Sequence, residues 1–199
     1  MSVLLWVLLA VVAFAVALRA HSLISPRAFP PWLTPMLEGP WRNREAILDR
    51  CGVAPGERVL EVGPGAGFIS QRAAARVGTG GRLVCLDLQM AMLRKVRGRI
   101  GDAAGLVQAS GSQLPFREAA FDRAFLVTVL GEIPDKPGAL AELRRVLRPG
   151  GELAVEEGLP DPDYIRTPVL RRLAQQAGFT PGARLGGWAR YTQRFARPG

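Results

Sequence analysis

The sequence predicts an α/β protein: a mostly parallel, seven-stranded sheet with helices on both faces, preceded by one transmembrane helix. Three observations carry that expectation. Apolar strand-like runs alternate with helix-like stretches from residue 42 onward. The first of those strands runs straight into a glycine-rich turn. Ahead of them, residues 3–18 contain no polar side chain at all.

The chain therefore divides into an anchor over 1–20, a proline- and aromatic-rich juxtamembrane linker or lid over 21–41, and a globular domain over 42–199. Sixteen helical residues span about 24 Å, at the short end for a bilayer core of about 30 Å. A cleaved signal peptide would account for the small residues between Ala13 and Ala17, but no basic segment precedes the apolar run. A buried core helix would show a polar stripe, and this run has none. An uncleaved single-pass membrane anchor fits best. Arg19, Arg27, Arg42 and Arg44 all follow the span, which places the globular domain on the cytoplasmic side. In the linker, five prolines forbid a regular helix or central strand. Its apolar side chains suit the headgroup region, a lid over the domain, or simple packing on the domain surface.

Composition narrows the chemistry. The 199 residues, 48% of them apolar, suffice for one well-packed domain and exclude a disordered chain. Cys51, Cys85 and the lone His21 supply too few ligands for a zinc centre, so no metal site is expected. Twenty-six basic against 17 acidic side chains leave a charge of +9, nearly all arginine. That excess admits an anionic lipid or nucleic-acid partner, or merely solvated helix faces.

Element by element, Arg42 to Arg50 reads as a helix with Asn43 as N-cap and Gly52 as its stop. Arg58–Val62 is a strand, Phe68–Val77 a helix closed by Gly78, and Arg82–Asp87 a second strand. A helix follows over Met90–Ile100, then a short strand at Leu106–Ala109 and an apolar one at Asp122–Leu130. Pro137–Leu147 forms a helix, Arg148–Gly151 a turn, Glu152–Glu156 a fifth strand and Thr167–Ala177 a helix. Ala183–Leu185 and Arg190–Ala196 close the chain as a hairpin around Gly186-Gly187.

The turn after the first strand reads Glu61-Val62-Gly63-Pro64-Gly65-Ala66-Gly67-Phe68. Glycines let this backbone approach a ligand that a Cβ would exclude, and the following helix points its free N–H groups into the turn. A dinucleotide fingerprint would need a third glycine where Phe68 stands. The compact Gly-x-Gly-x-Gly with Glu61 two residues ahead instead resembles motif I of the class I S-adenosylmethionine-dependent methyltransferases. Further segments agree in order: Asp87 at the end of the second strand, Ala109-Ser110-Gly111-Ser112-Gln113-Leu114-Pro115-Phe116, Phe121–Phe125, and Glu142–Gly151. The last is similar to the quinone-biosynthesis-like, small-molecule branch of that family.

The resemblance implies a Rossmann-like fold, S-adenosyl-L-methionine as cofactor, and a binding site made of Glu61, Gly63, Pro64, Gly65, Gly67, Phe68, Asp87, Leu88, Ser110 and Gly111. Asp87 would take the ribose diol, since a carboxylate accepts two hydrogen bonds from it. Ser110 stands where the family has an acid for the adenine amino group. Glu61 either holds the turn's own amides or reaches the methionine amino group. Cys85, Met90 and Met92 read as packing residues, Asp122 as a local capping or pairing group, and Gly150 and Gly151 as turn formers.

Methyl transfer requires donor and acceptor to be held in line, and some acceptors must also lose a proton. The domain over 42–199 contains no histidine. Glu132, Asp135, Glu156, Glu157 and Tyr191 remain as candidate bases, and Glu132 is preferred because it follows the fourth strand. The segment from Thr128 to Glu132 lacks the motifs of the nucleic-acid methylating enzymes, so no nucleic-acid substrate is expected. Anchor and linker point to a small, hydrophobic or lipid-like acceptor at the bilayer. Two alternatives stay open at this point, a catalytically silent membrane scaffold that binds the cofactor and a nicotinamide-dependent oxidoreductase.

Overall fold

The computed structural model describes residues 43–159 and 161–199, together with Leu5, Trp6 and Ala13. The expected linker over 21–41 and most of the expected anchor lie outside the described residues. Among the described residues no helix is long and apolar enough to cross a membrane, so the transmembrane helix of the expected fold is not supported.

The elements are α1 (Arg44–Cys51), β1 (Arg58–Val62), α2 (Phe68–Val77), β2 (Arg82–Asp87), α3 (Met90–Ile100), β3 (Gly105–Gln108) and β4 (Phe121–Val127). A 3-10 turn (Leu130–Glu132), α4 (Lys136–Val146), β5 (Leu147–Gly158), α5 (Thr167–Gln176), β6 (Thr180–Gly186) and β7 (Arg190–Ala196) complete the domain. The seven strands form one sheet in the order β3-β2-β1-β4-β5-β7-β6. Strands β3, β2, β1, β4 and β5 run parallel, as expected. The sheet as a whole is mixed, because β7 runs antiparallel to both β5 and β6. The hairpin at Gly186 sends the chain back between β5 and β6, and a tight return can only pair antiparallel.

Local signals explain the ends of the elements. The Asn43 side chain accepts from the Ala46 N–H at 3.0 Å, and Gly52 ends α1 in the left-handed region. Asp122 accepts from the Arg58 N–H at 2.8 Å and from the guanidinium groups of Arg58 and Arg148. That ties the start of β1 to the turn before β5. Arg58 holds the Asp122 carboxyl well below the usual carboxylate range. Strand β5 begins earlier than expected. Leu147 already pairs with Phe121, and the Arg148–Gly151 turn is a register shift within the ladder rather than a gap before it.

The sheet separates two apolar layers. One holds Leu60, Leu126, Leu143, Leu170 and Tyr191 beneath α4 and α5; the other holds Ile47, Val59, Ala73, Val96 and Phe125 beneath α1, α2 and α3. Along β4, Phe125 faces one layer and Leu126 the other, both without solvent exposure. Each such side chain contributes about 1.5–3 kcal/mol when buried. That rigidity fixes the carboxyl ends of β1, β2 and β4, where the site lies.

Candidate functional site

A cleft of about 200 Å³ opens at the carboxyl ends of β1, β2 and β4. The turn after β1 forms its floor. Gly63 donates to the Leu86 carbonyl at 2.8 Å, and Gly67 donates to the Pro64 carbonyl at 3.0 Å. Gly63 has a φ of +71°, and a Cβ there would stand 2.5 Å from Val129 Cγ2. Any side chain would therefore both strain the backbone and strike the opposite wall. Gly67 serves differently. It precedes α2 at a φ of +82° and packs on the Val96 backbone of α3, so it shapes the turn without lining the cleft.

Glu61 is buried at the base of the turn, where the Cys85 thiol donates to its Oε2 at 3.5 Å. Phe68, the residue in place of a third glycine, lines the cleft. Two guanidinium groups lie over its ring, Arg99 at 3.6 Å and Arg44 at 4.7 Å from the centroid. Arg99 also donates to the Ala66 carbonyl at 2.9 Å. The turn is thus braced from both α1 and α3.

Asp87 is the last residue of β2, nearly buried, with Oδ1 accepting from the Gln89 N–H at 2.8 Å. Burial pushes its carboxyl up to about 6, against the lowering effect of the Gln89 and Leu88 amides. Leu88 forms the exposed rim beside it. Ser110 and Gly111 line the cleft after β3, with the Ser110 hydroxyl accepting from the Ser112 N–H at 3.3 Å. Gly111 lies against Ile133, where a Cβ would stand 2.8 Å from Cδ1.

The far wall follows β4. Thr128 sits in the left-handed region at a φ of 55°, a conformation a β-branched residue adopts only under constraint. Its N–H donates to the Glu156 carbonyl at 2.8 Å and its hydroxyl to the Val127 carbonyl at 2.7 Å. The bend leads into the 3-10 turn that presents Glu132 to the cleft. Burial, then the nearby charges of Asp161 and Asp87, push the Glu132 carboxyl up to about 8. Such a group exchanges its proton near neutral pH.

The other candidate bases lie elsewhere. Asp135 caps α4 by accepting from the Gly138 N–H at 2.9 Å. Glu156 is fully buried and bound by Arg50 at 2.8 Å, Arg190 at 3.2 Å and Thr192 at 2.8 Å. Glu157 accepts from the Ile165 N–H at 3.2 Å, and the Tyr191 hydroxyl donates to the Ile165 carbonyl. None of these four lines the cleft.

The structure brings together Glu61, Gly63, Pro64, Gly65, Phe68, Asp87, Leu88, Ser110, Gly111 and Glu132; of the expected set only Gly67 stands behind the wall. It adds Arg44, Gln89, Thr128 and Ile133, which sequence reasoning missed, and Met92, which had been assigned to packing. Cys85 and Asp122 occupy the structural roles expected of them.

The donor set fits S-adenosylmethionine. A buried carboxylate at the end of β2 suits a vicinal diol, the amides at the start of α2 suit a carboxylate, and Glu61 suits an ammonium group. Phe68 stands where a dinucleotide fingerprint needs its third glycine, the one that lets helix and strand pack closely.

Residues 60–155 match the family model of a methyltransferase domain. The chain is 36% identical over 115 residues to the ubiquinone/menaquinone biosynthesis C-methyltransferase UbiE of Hahella chejuensis, covering 55% of this chain and 46% of the relative. It is 37% identical over 113 residues to UbiE of Bordetella avium, covering 55% and 44%. The chain thus spans just under half the length of these relatives. Among solved structures it is similar to a SAM-dependent methyltransferase from Aquifex aeolicus (TM-score 0.77, 22% identity, 85% of this chain and 99% of that one). It is also similar to a Burkholderia thailandensis N1-methyltransferase with bound 1,6-didemethyltoxoflavin and S-adenosylhomocysteine (TM-score 0.63, 23% identity, 79% and 78%). At such identities the structures show the shared fold. The comparisons thus relate residues 60–155 to a methyltransferase domain and the fold to that of S-adenosylmethionine-dependent methyltransferases, and none of those cited is a nicotinamide-dependent oxidoreductase.

Proposed function

With a methyltransferase domain over residues 60–155 as the premise, we propose that this chain moves a methyl group from S-adenosylmethionine to a small hydrophobic acceptor of the hydroxylated-ring, quinol-precursor class. One observation carries the reading: Glu132, Asp87 and the Gly63–Gly65 turn share a single cleft. The relatives named as quinone C-methyltransferases support the acceptor class. So does the apolar wall of Val127, Val129 and Ile133 around Glu132.

Bound at the turn, S-adenosylmethionine would supply an electrophilic methyl carbon on a sulfonium sulfur. The chain's own residues do the rest. The amides at the start of α2 and the Glu61 carboxylate hold the amino-acid end, and Asp87 holds the ribose. That fixes the reacting methyl toward the far wall. Glu132 takes the proton from a ring hydroxyl of the acceptor, which raises electron density at the adjacent ring carbon. The ring carbon forms the new C–C bond as the C–S bond breaks, and loss of its hydrogen as a proton restores the ring.

The apolar run over 3–18 and the arginines after it support a second part of the proposal, a single-pass anchor that keeps this domain on the cytoplasmic side of a membrane. The test is to incubate the full chain in detergent-solubilised membranes with methyl-labelled cofactor and a demethylated quinol. Label on a ring carbon in the organic extract is expected. Label confined to nucleic acid or soluble protein would overturn the acceptor class, and cofactor binding without any labelled product would mark a silent scaffold.

A further inference from the structure

Residues 164–199 contain seven arginines and no aspartate or glutamate, so this segment carries all but two of the chain's nine net positive charges. Arg190 and Arg197 meet Glu156 and Glu118 from elsewhere in the domain. Arg171, Arg184 and Arg194 bond to neutral oxygens, which leaves their charge in place. Arg166, Arg172 and Arg184 are exposed.

Among these charges stands Trp188, 79% exposed at the tip of the β6–β7 hairpin. The tip is braced. Arg184 donates to the Gly186 carbonyl at 3.0 Å and to the Gly187 carbonyl at 2.9 Å, and its Nε reaches Thr167 Oγ1 at 3.2 Å. The Tyr164 hydroxyl donates to the Trp188 carbonyl at 2.7 Å, and Leu159 donates to the Ala189 carbonyl at 2.8 Å. Leu159 and Val169 are themselves exposed, the latter one helical turn from both Arg166 and Arg172.

We propose that Trp188, Leu159 and Val169, with Arg166 and Arg172 one helical turn from Val169 and Arg184 bonded to the hairpin tip, form a docking surface for an anionic lipid bilayer. The backbone that carries this indole is held in place, while the indole itself, 79% exposed, contributes little to the fold's own packing. Indoles settle at the headgroup level of a bilayer, and cations nearby are drawn to anionic lipid. The aliphatic neighbours argue for a bilayer over a nucleic acid, because base stacking has no use for Leu159 or Val169. Leu159 directly follows β5 at its carboxyl end, the edge on which the cleft opens. Docking therefore turns that edge toward the membrane. The surface stands on its own residues and does not depend on the reaction proposed above.

The test uses the full chain with Trp6→Phe, Trp32→Phe and Trp41→Phe, leaving Trp188 as the sole indole. Vesicles of brominated phosphatidylcholine alone are compared with vesicles of that lipid and phosphatidylglycerol in equal parts. Phosphatidylglycerol should shift the emission to the blue and quench it about twofold more than the neutral vesicles, and Arg166→Glu with Arg172→Glu should abolish the difference. Unchanged emission with both vesicles, or equal quenching by both, would overturn the proposal. So would quenching by a single-stranded oligonucleotide and by neither vesicle. Should the triple substitution fold poorly, amide exchange of residues 184–192 in the unaltered chain gives the same reading. Slowing by anionic vesicles supports docking, and its absence refutes it.

Discussion

Gly63 and Val129 meet across the floor of the cleft, with Val129 Cγ2 2.5 Å and Cγ1 2.7 Å from where a Gly63 Cβ would lie. The binding turn and the wall that follows β4 are thus fitted to one another without any ligand between them. The backbone of Gly63 is held by its bond to the Leu86 carbonyl, so the turn cannot retreat easily.

Gly63→Ala should therefore cost about 1–2 kcal/mol for its left-handed φ and about 1–3 kcal/mol for overpacking against Val129. We expect a loss of about 4–20 °C in Tm together with weakened S-adenosylmethionine binding. Adding Val129→Ala should restore the overpacking part and leave the backbone part. Thermal unfolding of both variants checks this; a double variant no more stable than Gly63→Ala would show that Val129 is not the obstacle.

Asp87 should make cofactor binding depend on pH. Its carboxyl is held up at about 6 by burial, and only the ionised form accepts both hydrogen bonds of a diol. Affinity should rise between pH 5 and 7.5 as the group loses its proton. Asp87→Asn should weaken binding by about 10- to 100-fold, the value of charged hydrogen bonds, and flatten the pH response. Calorimetric titration at three pH values decides the matter.

For Glu132, the rate of product formation should climb through about pH 8, where its raised carboxyl ionises. Glu132→Gln should lower kcat by about 10²- to 10³-fold while leaving the KM for S-adenosylmethionine in place. A variant that keeps full activity and the same pH profile would remove Glu132 from the reaction.

Glu157 offers a stability test away from the cleft. Its Oε1 is buried with no hydrogen-bond partner, and burial pushes its carboxyl up to about 8. The unfolded chain releases this proton near the ordinary glutamate value of about 4.3. Stability is therefore full below that value and falls as pH rises toward about 8, then levels off. Glu157→Gln should remove that decline. Its Tm should exceed that of the unaltered chain by about 2–4 °C per kcal/mol recovered at pH 8 and match it near pH 4. Equal melting curves at both pH values would contradict the assignment.

Much of this was legible in the sequence where local chemistry decides structure. The bounds of β1, α2, β2 and α3 agree with expectation residue for residue, because Gly63, Gly67, Gly78 and Gly101 punctuate them and apolar periodicity fills the intervals. Asp87 was legible as the last residue of its strand. Gly67 was not separable from its neighbours, since a run of glycines does not say which one meets a ligand and which one meets Val96. Arg44 and Thr128 left no trace either. One reaches the cleft by stacking on Phe68, 24 residues away, and the amide of the other is held by the Glu156 carbonyl from a distant strand. The position of β7 between β5 and β6 is likewise a long-range pairing, invisible to alternation and turn residues alone.

That interleaved position bears on how the domain assembles during synthesis. With β7 seated inside the sheet, β5 has no neighbour on its outer side until residue 196 has emerged. A nascent chain that already holds the binding turn would still present an open, apolar strand edge, the kind that recruits chaperones or pairs with another copy. Truncating the chain before Arg190 should therefore yield aggregates rather than a smaller working enzyme.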